Sequence, residues 1–161
     1  MGLILGLAAA VTLADALTKA AAANELAGAW RVVVLDHLLE LRLTKNDGMA
    51  LGILSGNEIA IIVLPVVVIV CGLLLMRKYR MTTFTRVAAG LVLGGFLGNF
   101  VERAARGYVL DMIYFPFLPW FVCNLADIAI CAGVVLLGVS LIFRPQDWSE
   151  KHAKDKPDRA G

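Results

Sequence analysis

Four apolar runs decide what this chain can fold into. They extend from about Gly2 to Ala23, Ile59 to Met76, Val87 to Val101 and Phe121 to Phe143, and a helix needs roughly 20 apolar residues to cross about 30 Å of hydrocarbon. The third run is the shortest and calls on its flanks or on local thinning of the bilayer. The expected fold class is therefore an all-α membrane protein of four transmembrane helices. Hydrophobic residues make up 60% of the 161, above the roughly half found in soluble domains. The first run lacks a basic leader and carries Asp15, so it reads as a retained span rather than a cleaved signal.

Charge orients the spans. The segment Arg77 to Arg86 holds four basic and no acidic residues, which places it in the cytoplasm. An even number of spans then puts both termini there. The tail from Arg144 to Gly161 carries five basic residues and no apolar run, and reads as solvated. The expected organisation is a membrane domain over 1–143, with outer loops 24–58 and 103–120, followed by a polar cytoplasmic tail over 144–161. In the first loop, Trp30 to Asp36 and Leu39 to Leu43 contain alternating apolar residues, which predicts short strands of a small extracytoplasmic sheet at the membrane surface. The second loop holds Tyr108, Tyr114, Phe115, Phe117 and Trp120, an aromatic set suited to the interface. A net charge of +2, with the basic residues at the ends of apolar runs, argues against nucleic-acid binding.

An ionisable residue inside a span costs several kcal/mol unless paired or solvated, so each one marks a candidate site. Here they converge on the outer layer. Asp127 falls near the outer end of the fourth run, and Asp111 follows the third. Asn124 precedes Asp127 by three positions and shares its helical face; Asn99 and Arg103 pair by the same spacing rule, as do Asp15 and Lys19. Two carboxylates in a partly desolvated site cannot both ionise cheaply, so one keeps a proton while the other acts as base. That is the requirement for aspartyl peptidase chemistry, in which the pair activates a water and protonates the leaving amine. No metal or other cofactor is called for.

Other chemistries lack residues. Ser55 and Ser140 have no histidine in the neighbouring sequence, and His37 and His152 fall on opposite sides of the membrane, which also denies zinc a ligand set. Cys71, Cys123 and Cys131 read as small packing residues. A proton-coupled transporter is the alternative from another class, but it calls for acids near the midplane and inverted-repeat halves, and neither is visible. Gly90, Gly94 and Gly98 form a ridge that lets a second helix approach closely.

In order along the chain, these residues resemble the motifs of the lipoprotein signal peptidases. Ala14 to Lys19 is similar to the first-span D-x-x-T-K element, Leu43 to Gly52 to N-x-G-x-A-F, and Gly94 to Arg103 to G-G-x-x-G-N-x-x-D-R. Gly107 to Asp111 follows, and Val122 to Ile130 is similar to F-N-x-A-D-x-x-I. The resemblance implies that Asp111 and Asp127 form a catalytic dyad, supported by Asn99, Arg103 and Asn124, with Asp15, Lys19, Asn46 and Gly48 holding the site or the substrate. It further implies a monomer in the bacterial inner membrane, in contact with membrane lipids. The substrate would be a prolipoprotein carrying diacylglyceryl on its lipobox cysteine, cleaved just before that cysteine, and the inhibitor would be globomycin. Glu102, Leu51 and Asp47 depart from the pattern, standing where the family has aspartate, phenylalanine and no extra acid.

Overall fold

The computed structural model describes residues 1–29, 31–48 and 58–149. The helices are α1 (Gly2–Glu25), α2 (Glu58–Lys78), α3 (Thr83–Arg106) and α4 (Leu125–Phe143); the strands are β1 (Val32–Leu35), β2 (Leu39–Asn46), β3 (Val109–Tyr114) and β4 (Val122–Cys123). Among the described residues, α1, α3 and α4 are long and apolar enough to cross a membrane. Each leaves large aliphatic side chains outward, such as Leu13 and Leu17 on α1 and Leu141 and Ile142 on α4, as a helix facing lipid does. The chain is thus an integral membrane protein.

The helix limits differ from the apolar runs in an instructive way. α3 begins at Thr83, where the Thr82 hydroxyl accepts the Thr85 amide, and ends at Gly107, which adopts φ 78°. A left-handed C-terminal residue of this kind suits glycine. Capping therefore extends α3 beyond the run from Val87 to Val101. α4 is shorter than its run, because Val122 and Cys123 are a strand and Asn124 is the N-cap. Asp127, near the outer end of the fourth run, accordingly lies in the first turn of α4.

α3 is the central helix, packed between α1 and α4. Its glycines permit this. A Cβ on Gly94 would lie 2.7 Å from the Val11 Cβ and 2.8 Å from the Ala8 carbonyl oxygen, and one on Gly90 would meet Leu7. The face of the ridge is thus filled by α1. Gly95, one position round the helix, abuts the backbone of Ala126 on α4.

The sheet caps one end of the helices, antiparallel throughout and in the order β1-β2-β3-β4. The β1 and β2 expectation holds, with β2 running on to Asn46, whereas Trp30 lies outside the described residues. The segment after α3, read from sequence only as an aromatic connection, supplies two further strands. β3 is almost wholly buried, and Met112 packs with Ala22 and Leu26 at the end of α1. At the opposite end of the helices the tail begins with a 3-10 turn, Pro145–Trp148. Asp147 is buried there, held by Ser140 and Arg144, so the solvated reading fails at the start of the tail. Residues 150–161 lie outside the described residues.

Candidate active site

Two paired strands and two helix ends assemble the polar residues. A register shift between Leu41 and Thr44 sets Thr44 opposite Asp111 and Asn46 opposite Val109. The Asn46 side chain then donates from Nδ2 to Asp111 Oδ2 at 2.8 Å. From the other side, Asn124 donates from Nδ2 to Asp111 Oδ1 at 2.7 Å.

Asn124 is also the N-cap of α4. Its Oδ1 accepts the Asp127 amide at 2.9 Å, and Asp127 Oδ2 accepts the Asn124 amide at 3.2 Å, a reciprocal capping box. One asparagine therefore fixes both carboxylates. Asn99 completes the arrangement by donating to Asp127 Oδ1 at 2.8 Å and accepting from Asn124 at 3.1 Å. Asp111 and Asp127 line a single cavity of about 230 Å³.

Behind Asn99 sits a buried charge cluster. Lys19 donates to Asn99 Oδ1 at 3.2 Å, and pairs with Asp15 at 2.7 Å and Glu102 at 2.9 Å. Asp15 spends its other oxygen on the Ala126 amide at 2.9 Å, one of the donors that the first turn of α4 leaves open. α1 is thereby tied to α4 across the α3 glycines. On the loop side, Arg103 donates to the Gly48 carbonyl oxygen at 2.8 Å, and Gly48 donates its amide to Asn46 Oδ1 at 3.0 Å.

Burial pushes the Asp111 carboxyl up to about 6. The Asn46 hydrogen bond pulls it down, the neighbouring charge of Asp127 pushes it up, and the Asn124 hydrogen bond and the charge of Lys19 pull it down. Proximity of a second acid and exclusion from water thus hold Asp111 where its proton can move near neutral pH.

All the site residues expected from sequence fall in this one connected network. The sequence reading missed Glu102, which the motif presents only as a substitution for aspartate. Its Oε2 meets Lys19 and accepts the Leu110 amide at 3.2 Å, while its Oε1 meets Arg106 at 3.2 Å. The signal lay in its spacing, three residues beyond Asn99. Asp47 is exposed, and Leu51 lies outside the described residues.

Fold and site together define a class, integral membrane proteins with two carboxylates held in one cavity where the helices meet a small sheet. The family model describing signal peptidase II matches residues 7–143, and the chain belongs to that peptidase family. The lipoprotein signal peptidase of Caldanaerobacter subterraneus is 34% identical over 83% of this chain and 92% of its own, and that of Halothermothrix orenii is 35% identical over 79% and 86%. A solved bacterial membrane enzyme superposes with a TM-score of 0.79 at 25% identity, covering 98% of this chain and 94% of its own. A second superposes with a TM-score of 0.75 at 26% identity, covering 89% and 95%.

Proposed function

We propose that this protein is an intramembrane aspartyl endopeptidase that removes the signal peptide from diacylglyceryl-modified prolipoproteins, cutting before the lipidated cysteine. The observation that carries the reading is Asn124, whose single side chain binds Asp111 and fixes the position of Asp127. In this mechanism the ionised member of the dyad takes a proton from a water, which attacks the scissile carbonyl. The protonated member donates to the developing oxyanion and later to the leaving amine. Asn99, Asn124 and Asn46 hold the carboxyls so that little rearrangement is needed during reaction. Arg103 positions the Asn46–Gly48 segment beside the incoming peptide.

The same reading makes α2 the fourth span of a domain over 1–143. Both termini face the cytoplasm, the sheet end faces outward, the chain acts as a monomer in the inner membrane, and globomycin inhibits it. The relatives' lipoprotein processing and the basic segment between α2 and α3 support this arrangement. Purified protein should cleave a lipidated precursor, and Asp111→Asn and Asp127→Asn should each abolish cleavage while leaving the fold intact. Retained cleavage in both variants would exclude the dyad.

A further inference from the structure

Three of the helices are locked together and α2 is not. Gly90 and Gly94 of α3 close on α1, Gly95 of α3 closes on α4, and a Cβ on Gly133 of α4 would lie 2.6 Å from Val92 Cγ2 of α3. Gly72 of α2 meets nothing within 4 Å. Between α2 and the α3–α4 pair lies an apolar cavity of about 100 Å³, lined by Ile69, Leu73, Ala89, Leu93 and Leu137 and closed from the tail by Trp148. A void of this kind forfeits the dispersion contacts that seat one helix on another, so the place of α2 depends on what grips its ends.

The tail grips the end away from the sheet. Tyr79, just past α2, meets the Trp148 ring edge-on with centroids 5.7 Å apart, and the Arg80 amide donates to the Ser149 carbonyl oxygen at 2.9 Å. The tail in turn is fastened to the locked helices. Asp147, 1% exposed, accepts from Ser140 of α4 and from Arg144, whose guanidinium lies 4.7 Å from the centre of the Phe84 ring of α3. Residues 144–149 thus form a clasp between α4 and the end of α2. Farther up α2, Pro65 is buried and lines the catalytic cavity together with Phe96. Phe96 lines the apolar cavity as well, so the two spaces share a wall.

We propose that Trp148 and Asp147 are positioning residues for substrate binding, which act through α2 by holding Pro65 in the wall of the catalytic cavity. This rests on the function proposed above. The influence runs along about 21 Å of helix rise from Tyr79 to Pro65. Neither tail residue touches the carboxylate network, which α3, α4 and the sheet hold without α2. The clasp therefore governs binding and leaves the chemical step alone.

The test follows cleavage of a dipalmitoyl precursor lipopeptide by the wild type, Trp148→Ala, Trp148→Phe and Asp147→Ala. In both alanine variants KM should rise about five-fold or more while kcat stays within about two-fold, as when binding common to ground and transition states is lost. Trp148→Phe keeps an aromatic edge for Tyr79 and should stay near the wild type. Unchanged KM, or a fall in kcat alone, overturns the proposal. Should the single variants misfold, Tyr79→Cys with Trp148→Cys, in a chain carrying Cys71→Ser and Cys131→Ser, replaces the clasp by a bridge. A short bis-methanethiosulfonate cross-link should lower KM, and dithiothreitol should raise it again in the same sample. A KM indifferent to the bridge also overturns the proposal.

A readout without cleavage separates the clasp from the peptidase reading. Val66 of α2 and Val134 of α4 are both exposed, and spin labels on Val66→Cys and Val134→Cys in the same background report the distance between the two helices. Trp148→Ala should broaden that distance distribution and Trp148→Phe should not. An unchanged distribution in Trp148→Ala overturns the proposal whatever the kinetics show. A distribution that responds while the wild type cleaves no lipopeptide would sink the peptidase reading and leave the clasp standing.

Discussion

Asn124 donates its side-chain amide to Asp111 at 2.7 Å while its carbonyl oxygen accepts the backbone amide of Asp127 at 2.9 Å. A strand residue and a helix residue are thereby held by a group that belongs to neither partner. Folding α4 and positioning the carboxyls are the same event here, because the side chain that starts the helix also sets the Asp111 rotamer.

Replacing Asn124 separates the two roles. Asn124→Ala loses the cap, a cost of about 1 kcal/mol, and leaves Asp111 without one donor. Cleavage should fall by about 10²-fold, the penalty typical of a misplaced reacting group. Asn124→Ser restores a cap without adding a charge yet is too short to reach Asp111, so thermal stability in detergent should largely recover while cleavage does not. Recovery of both would show that Asn124 serves the helix alone.

The pH profile tests Asn46. Its hydrogen bond stabilises the Asp111 carboxylate, so removing it must raise the pKa of that group further. In Asn46→Ala the kcat/KM limb near pH 6 should move to higher pH, leaving less ionised Asp111 at neutrality. Since the dyad titrates as a pair, the shift is read on the apparent value. A limb that stays put, or moves down, would count against Asn46 acting through Asp111.

Lys19 is the only cation paired with Asp15 and Glu102 together among the described contacts. Lys19→Met leaves the buried Asp15 carboxylate without its cation and takes from Glu102 one of two, Arg106 remaining; breaking a buried ion pair from one side typically costs 3–5 kcal/mol, so we expect a loss of about 3 kcal/mol. Chemical unfolding in mixed micelles measures it. The triple variant Lys19→Met, Asp15→Asn, Glu102→Gln should regain much of the loss, because the uncompensated charge is what destabilises.

Packing at the glycine ridge makes a contrast within one substitution type. Gly94→Ala places a methyl against Val11 and the Ala8 backbone, which cannot move aside without shifting α1, and should cost about 1–3 kcal/mol. Gly138→Ala meets nothing within 4 Å. It should be neutral or stabilising by up to about 1 kcal/mol, as alanine is the better helix former. Thermal unfolding of the two variants side by side decides it.

The apolar runs, the alternation in β2 and the spacings Asp15 to Lys19 and Asn124 to Asp127 are properties of neighbours in the chain, so the sequence by itself determined that the helices form and which polar residues share a face. The motif order carried the family as well. β3 and β4 were not legible, since the β2 partners of β3 lie some sixty to seventy residues upstream, β4 pairs only with β3, and β3 is buried on most of its length, leaving no alternation to read. Spacing put Glu102 on the Asn99 face of α3 but could not show that it would reach Lys19 on α1, or that α4 starts only at Leu125. Those depend on α1 closing onto the α3 glycines and on a register shift in β2. Only the tertiary structure brought Asn46, Asp111, Asn124 and Asp127 into one cavity, because each arrives on a different element and hydrogen bonds between elements exist only after packing has fixed their distances.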